Sequence, residues 1–224
     1  MVNLKLNNMP ATDKEYTTEE KIENFLGGIS IASGDADEFI LAAQKFIDSE
    51  TGRNFKADDE ASARLFDGDD TQNLVIDDCI EITLVEVGQD TYGDSKTTVP
   101  EMVPGVTTDG YIIQPANRDD GDDDNIIPIH KLCLRERVWT GGVQNHSITA
   151  KWGYSEAVPD DLSQAATVIA AGMYNFHRGS NTGLKSEKIG NYSVSYGADG
   201  EKGGSFGDLK NALAVLVNYK KILF

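Results

Sequence analysis

Basic residues are scarce in this 224-residue chain: 20 Lys and Arg stand against 37 Asp and Glu, a formal net charge of −17. A surface of that sign repels phosphate, which excludes a role that grips duplex DNA through several Lys or Arg contacts. Cysteine is almost missing. Cys79 and Cys133 make no disulfide framework and read as two free thiols. No apolar run approaches the roughly 20 residues that span a bilayer, so no membrane partner is expected. Met1 to Ala11 is polar, without the basic and then apolar regions of a secretory signal, and the expectation is a protein made and kept in a cytoplasm.

Catalytic signatures are missing as well. The sequence holds no G-x-S-x-G elbow, no P-loop, no G-x-G-x-x-G after a strand and no H-E-x-x-H. Residues Gly197 to Gly204 are Gly-rich but lack the Lys-Ser/Thr ending of a phosphate loop, and they read as a flexible loop. The histidines His130, His146 and His177 lie far apart, and His177, next to Phe176, reads as a packing or capping residue. His130 with Cys133 forms an H-x-x-C half-site with nothing obvious to complete it, so no metal is expected. The run Asp119 to Asn125 is dense in oxygen ligands. It lacks the EF-hand spacing and reads as a solvated turn, with calcium as the alternative. The expectation is a non-enzyme without a cofactor.

What is present is a change of pattern along the chain. Residues 1–16 are polar and aperiodic, a flexible N-terminal arm. Thr17 and Glu20 are spaced as a capping box, followed by an apolar stripe of Ile22, Phe25, Leu26 and Ile29, with Gly27-Gly28 as the stop. Asp35 to Glu38 opens a second helix by the same capping logic. Phe39, Ile40, Ala43, Phe46 and Ile47 share one face of it, and Gly52 suits the left-handed position after its end. From Ser62 to Tyr154 the pattern turns to β. Strands are expected at Leu74–Val87, where Ile80, Ile82 and Leu84 alternate, at Tyr111–Pro115, at Leu132–Trp139, with Leu132, Leu134 and Val138 on one face, and at Ser147–Tyr154. Turn-rich stretches at Asp67 to Asp70, Tyr92 to Asp94 and Asp119 to Asn125 separate them.

Pro159-Asp160-Asp161 returns the chain to helix, with Leu162, Ala165, Ala166, Ile169, Met173 and Phe176 on one Ala-rich face and Gly179 as its end. Residues 180–205 read as a long loop with one β-like run, Tyr192 to Tyr196. Asp208 to Phe224 reads as a last helix, with Leu209, Ala212, Leu213, Leu216 and Leu223 in register. The expected fold class is α+β: a small helical bundle, built from the N-terminal helices and two C-terminal helices, with an inserted antiparallel β-module. The expected boundaries are 17–61 with 156–224 for the bundle and 62–155 for the insert.

Three stretches carry a resemblance: Ala43 to Phe55, ending Thr51-Gly52-Arg53-Asn54-Phe55; Ile148 to Ser155 with Val158-Pro159-Asp160-Asp161-Leu162 and Ala165-Ala166; and Ser186 to Tyr196, followed by Leu213, Leu216 and Tyr219. In order and spacing they resemble the head-to-tail connector (adaptor, or head-completion) proteins of tailed bacteriophages. The likeness covers the flanking helical parts well and the β-insert poorly. It implies a structural virion protein of the neck, at the head–tail interface, assembled in the host cytoplasm. It implies a homo-oligomeric ring, a dodecamer, on the portal protein of the capsid, with a stopper or tail-completion protein as the next partner and double-stranded DNA passing through the lumen without specific binding.

Two groups of residues are expected to carry assembly. Tyr219, Lys220, Lys221, Ile222, Leu223 and Phe224 combine apolar side chains with two lysines in an acidic chain, and the resemblance implies that they insert into the portal. Lys188, Ile189, Tyr192, Val194 and Tyr196 form an alternating run suited to joining a neighbouring sheet edge. The alternatives are another neck or tail-completion protein, or a carbohydrate- or calcium-binding β-module using Trp139 and Trp152.

Overall fold

The structure, a computed structural model, describes residues 16–32, 34–88, 95–103, 109–118, 127–177, 186–189, 192–195 and 206–221. The chain is α+β. It divides into a helical unit, Met1–Gly52 with Asp160–Phe224, and a β unit, Arg53–Pro159. The expected N-terminal arm, apart from Tyr16, and the Asp-rich run 119–125 lie outside the described residues, as do Tyr92 to Asp94, Gly179 and the Gly-rich stretch 197–204.

In the helical unit, α1 (Glu19–Phe25) is capped by Thr18, whose hydroxyl accepts from the Lys21 amide. This corrects the capping box expected at Thr17 and Glu20. Thr17 is buried instead, and its hydroxyl lies 2.6 Å from that of Thr167. A tertiary partner outcompetes a local cap here. The cap of α2 (Asp35–Thr51) also differs from expectation. Gly34 precedes it at φ 94° with no side-chain cap, and the Asp35 amide donates to the Ala32 carbonyl. The end is as expected: Gly52 is left-handed at φ 69° and its amide donates to the Asp48 carbonyl. Ala36, Ile40, Ala43 and Ile47 bury one face, and Tyr16 donates to Asp48 Oδ1 at 2.5 Å.

The centre of the unit is α3 (Asp160–His177), which packs against α1, α2 and α4 (Phe206–Asn218). Its small residues Ala165, Ala166, Ala170 and Ala171 are all buried, so neighbours approach from more than one side. The expected single face is therefore too narrow. Phe176 does not belong to it; it is 84% exposed in the last turn. The expected final helix is too long, because α4 stops at Asn218. Its Ala212 and Leu216 are buried, whereas Leu213 is 39% exposed.

The β unit is a six-stranded antiparallel sheet, two strands more than expected. β1 (Ser62–Gly68), β6 (Gly142–Trp152), β2 (Asn73–Gly88), β5 (Ile129–Leu134) and β4 (Tyr111–Gln114) follow in that spatial order, and β3 (Lys96–Thr98) pairs with β2. β1 and β3 escape a hydrophobic reading because both lie at edges of the sheet and bury little. Their burial never alternates deeply, and β3 is Lys-Thr-Thr. The alternation expected at Ile80, Ile82 and Leu84 fails at its end. Register with β6 slips between Ile82 and Leu84, so Val85 turns inward and Leu84 is exposed. β5 ends at Leu134, and Val138, expected on its face, lies exposed in the turn that follows. The core holds Ile76, Cys79, Leu132, Leu134, Trp139, Ile148 and Trp152 among others, and each large apolar side chain so buried contributes about 1.5–3 kcal/mol.

Both tryptophans are fully enclosed. Trp139 Nε1 donates to the Gln72 carbonyl and Trp152 Nε1 to the Ser62 carbonyl. Neither offers a face on which a sugar ring could stack.

Candidate functional site

Tyr219, Lys220 and Lys221 are strapped down by contacts within the helical unit. Past Asn218 the chain leaves the helix, and the Tyr219 hydroxyl donates to Asp161 Oδ1 at 2.8 Å. Lys220 Nζ lies 3.4 Å from Glu50 Oε2, an exposed pair of small energetic weight. The Lys221 amide donates to the Thr51 carbonyl at 2.8 Å, one of the last carbonyls of α2 that no intrahelical amide reaches. Of the expected portal-binding group, Tyr219, Lys220 and Lys221 thus lie on the ends of α2 and α3. Ile222, Leu223 and Phe224 lie outside the described residues.

The expected assembly run is not a lone strand. β7 (Ser186–Ile189) and β8 (Tyr192–Ser195) pair antiparallel, with Ser186 opposite Ser195, Lys188 opposite Ser193 and Ile189 opposite Tyr192. Gly190-Asn191 between them has the composition of a tight hairpin turn. Lys188 and Ile189 therefore stand on one strand and Tyr192 and Val194 on the other; Tyr196 lies outside the described residues.

A cleft of about 250 Å³ in the helical unit is lined by Phe25, Asp161, Gln164, Val168, Asp208 and Asn211, among others. Its walls carry carboxylates and amides over an apolar floor, with no histidine, cysteine or hydroxyl nucleophile. In the β unit His146 is spent on structure. His146 is buried edge-on to Trp139, and its Nε2 donates to the Thr140 carbonyl at 3.1 Å, while Nδ1 has no partner. Burial pushes its pKa below the ordinary 6.5, a shift that the hydrogen bond to Thr140 only partly opposes. The unfolded chain takes up the proton near pH 6.5, the folded one only at lower pH. The stability contributed by neutral His146 is thus present above that value and lost as pH falls through it. The urea midpoint should drop between pH 7.5 and 5.5, and drop less in a His146→Gln variant.

Cys79 is enclosed, and burial pushes its thiol up to about 12. Thiolate is the reacting form. At pH 8 iodoacetamide should label the half-buried Cys133 in the folded protein and reach Cys79 only in denaturant, as read by intact mass. Among the described residues no three His, Cys, Asp or Glu side chains gather as round a metal ion, and no helix is long and apolar enough to cross a membrane.

One constellation escaped the reading of the sequence. Arg53, directly after the left-handed Gly52, pairs with the buried Asp78 at 2.7 Å and lies over the Tyr154 ring. Phe55, fully buried, packs against Tyr154, and the Phe55 carbonyl accepts from the Ser155 amide and hydroxyl. The Thr51–Phe55 and Ile148–Ser155 phrases are thus joined where the β unit begins and ends. Their distance in sequence hid this, although both phrases had been singled out.

No family model matches the sequence, nor does any curated protein. Solved structures do. A chain from the neck of an empty gene transfer agent (GTA) particle, computed with C6 symmetry, aligns with a TM-score of 0.52 at 13% identity, over 92% of this chain and 88% of its own. A chain from the neck of the native particle, computed with C12 symmetry, aligns with a TM-score of 0.50 at 14% identity, over 97% and 96%. The fold is shared with particle neck chains. The alignment to those necks runs through both units, so the β unit, poorly covered by the motif resemblance, belongs to the common architecture.

Proposed function

We infer that this chain is a structural neck protein of a phage-like particle, forming a ring between the portal vertex and the tail or stopper. The observation that carries the reading is a fold shared with particle necks over nearly the whole length of both chains. The phage-connector motifs, read from sequence independently of the fold, point the same way. The reading is non-enzymatic, as the neck chains that share the fold suggest. In a ring of such acidic subunits a lumen lined by carboxylates would repel phosphates and let duplex DNA slide.

Within this reading, residues 219–224 contact the portal and the β7–β8 hairpin makes a subunit contact. The deciding experiment is negative-stain microscopy of the purified protein with and without portal protein. Rings, or density capping the portal, are expected. A protein that stays monomeric and leaves portal particles bare would overturn the reading. Capping of the tail end alone would point to a tail-completion protein instead.

A further inference from the structure

Two parts of this chain are incomplete as β-structure, and each has what the other lacks. β6 pairs with one edge of β1 in unbroken register from Ser62 to Phe66. Among the described residues no strand pairs with the other edge. An edge strand turns a row of amides and carbonyls outward, a template for another strand. Proline is absent from Ser62–Gly68, and the exposed Ala63 and Leu65 leave the approach open. The β7–β8 hairpin is the converse. Two strands of four residues are marginal in water, and a third strand or a packing surface is needed to hold them.

Charge favours the match. Asp58, Asp59, Glu60, Asp67, Asp69 and Asp70 crowd the ends of β1, whose single base, Arg64, is held by Asp77. The strands of the hairpin carry one base, Lys188, and one acid, Glu187, and so have no net charge. Two neutral strands meet that acidic edge without the like-charge repulsion that a chain of net charge −17 otherwise brings, and Lys188 among them can steer the encounter and fix its register.

We propose that the β7–β8 hairpin of one copy adds to the free edge of β1 in a neighbouring copy, so that the sheet continues across the subunit boundary. The proposal rests on the ring reading above and names the contact that closes it. Hairpin to β1 is a heterologous contact, one surface meeting a different one, and such contacts generate rings when the rotation closes. Backbone hydrogen bonds of the strand-addition kind supply the attachment.

The test uses the full chain under conditions in which the wild type assembles, with ring population read by native mass spectrometry. Lys185→Glu with Lys188→Glu should raise the concentration for half-assembly at least ten-fold at an unchanged melting temperature. Adding Asp59→Lys and Glu60→Lys, both exposed positions beside β1, should restore it. Replacing residues 186–195 by a Gly/Ser loop of equal length should leave folded monomers. If the loop-replaced chain forms rings at wild-type concentration, or if the four-residue swap fails to rescue, the contact is overturned while the ring stands. A wild type that never assembles, with or without portal protein, overturns the ring reading and this contact with it.

Discussion

Gly153→Ala is expected to destabilise the β unit by about 3 kcal/mol or more. Gly153 sits at φ 141°, where a side chain is strained, and an added Cβ would lie 2.4 Å from the Ala57 Cα and 2.7 Å from the Ala57 amide nitrogen. Both obstacles are backbone and cannot rotate away. Relief would require moving residues 54–57 off residues 152–155. That would break the bonds from the Tyr154 amide to the Asn54 carbonyl and from the Ala57 amide to the Ser155 carbonyl. The Arg53–Asp78 pair at the same place makes the loss larger, because a buried carboxylate separated from its cation is left uncompensated. Urea unfolding followed by tryptophan fluorescence measures this directly, since Trp152 precedes the substituted residue. A change below about 1 kcal/mol would show that the two segments separate without cost.

That cluster also shows how far the sequence could be read. The helices were legible because their apolar periodicity reflects burial: Ile40, Ala43 and Ile47, or Leu162, Ala165 and Ile169, point where their spacing says. Their starts were not, because Thr17 is diverted to Thr167 and Gly34 replaces a side-chain cap. The strands were legible where one face is buried, and lost where a bulge shifts the phase, as at Ile82 and Leu84, or where an edge strand buries little. The hairpin was half seen. The alternation of Tyr192 and Val194 marked one strand, whereas Ser186–Ile189 has no signature until its partner is placed opposite. Contacts such as Arg53 with Asp78 join residues distant in sequence, and periodicity carries no information about them.

Truncation after Lys221 is expected to abolish attachment to DNA-filled heads while leaving the subunit folded. The contacts that hold the end of the helical unit come from Tyr219, Lys220 and the Lys221 amide, all retained in the shortened chain. The shortening removes only Ile222, Leu223 and Phe224, the apolar side chains proposed to act at a partner. Each apolar side chain buried there would contribute on the order of 1.5–3 kcal/mol before ordering costs. Repetition around a ring turns a modest contact into a firm one. Head-attachment assays measure the loss, and circular dichroism melting should show a shift of no more than a few degrees. If the truncated chain joins heads normally, Ile222, Leu223 and Phe224 are not the anchor, and the N-terminal residues 1–16 become the candidate.

The interruption of the helical unit by the β unit sets an order of events during synthesis. α1 and α2 leave the ribosome first, but their main packing partner, α3, lies beyond residue 159. Until then Ile22, Ile40 and Ile47 have little to pack against, and the first body able to complete itself is the β unit. Its completion sets residues 54–57 beside residues 152–155, which shortens the loop that α3 must close to reach α1 and α2. A nascent chain stalled once residue 159 has cleared the ribosome should therefore hold a protease-resistant β unit behind cleavable N-terminal helices. A lesion such as Gly153→Ala would then be felt first as slow maturation of helices it does not touch.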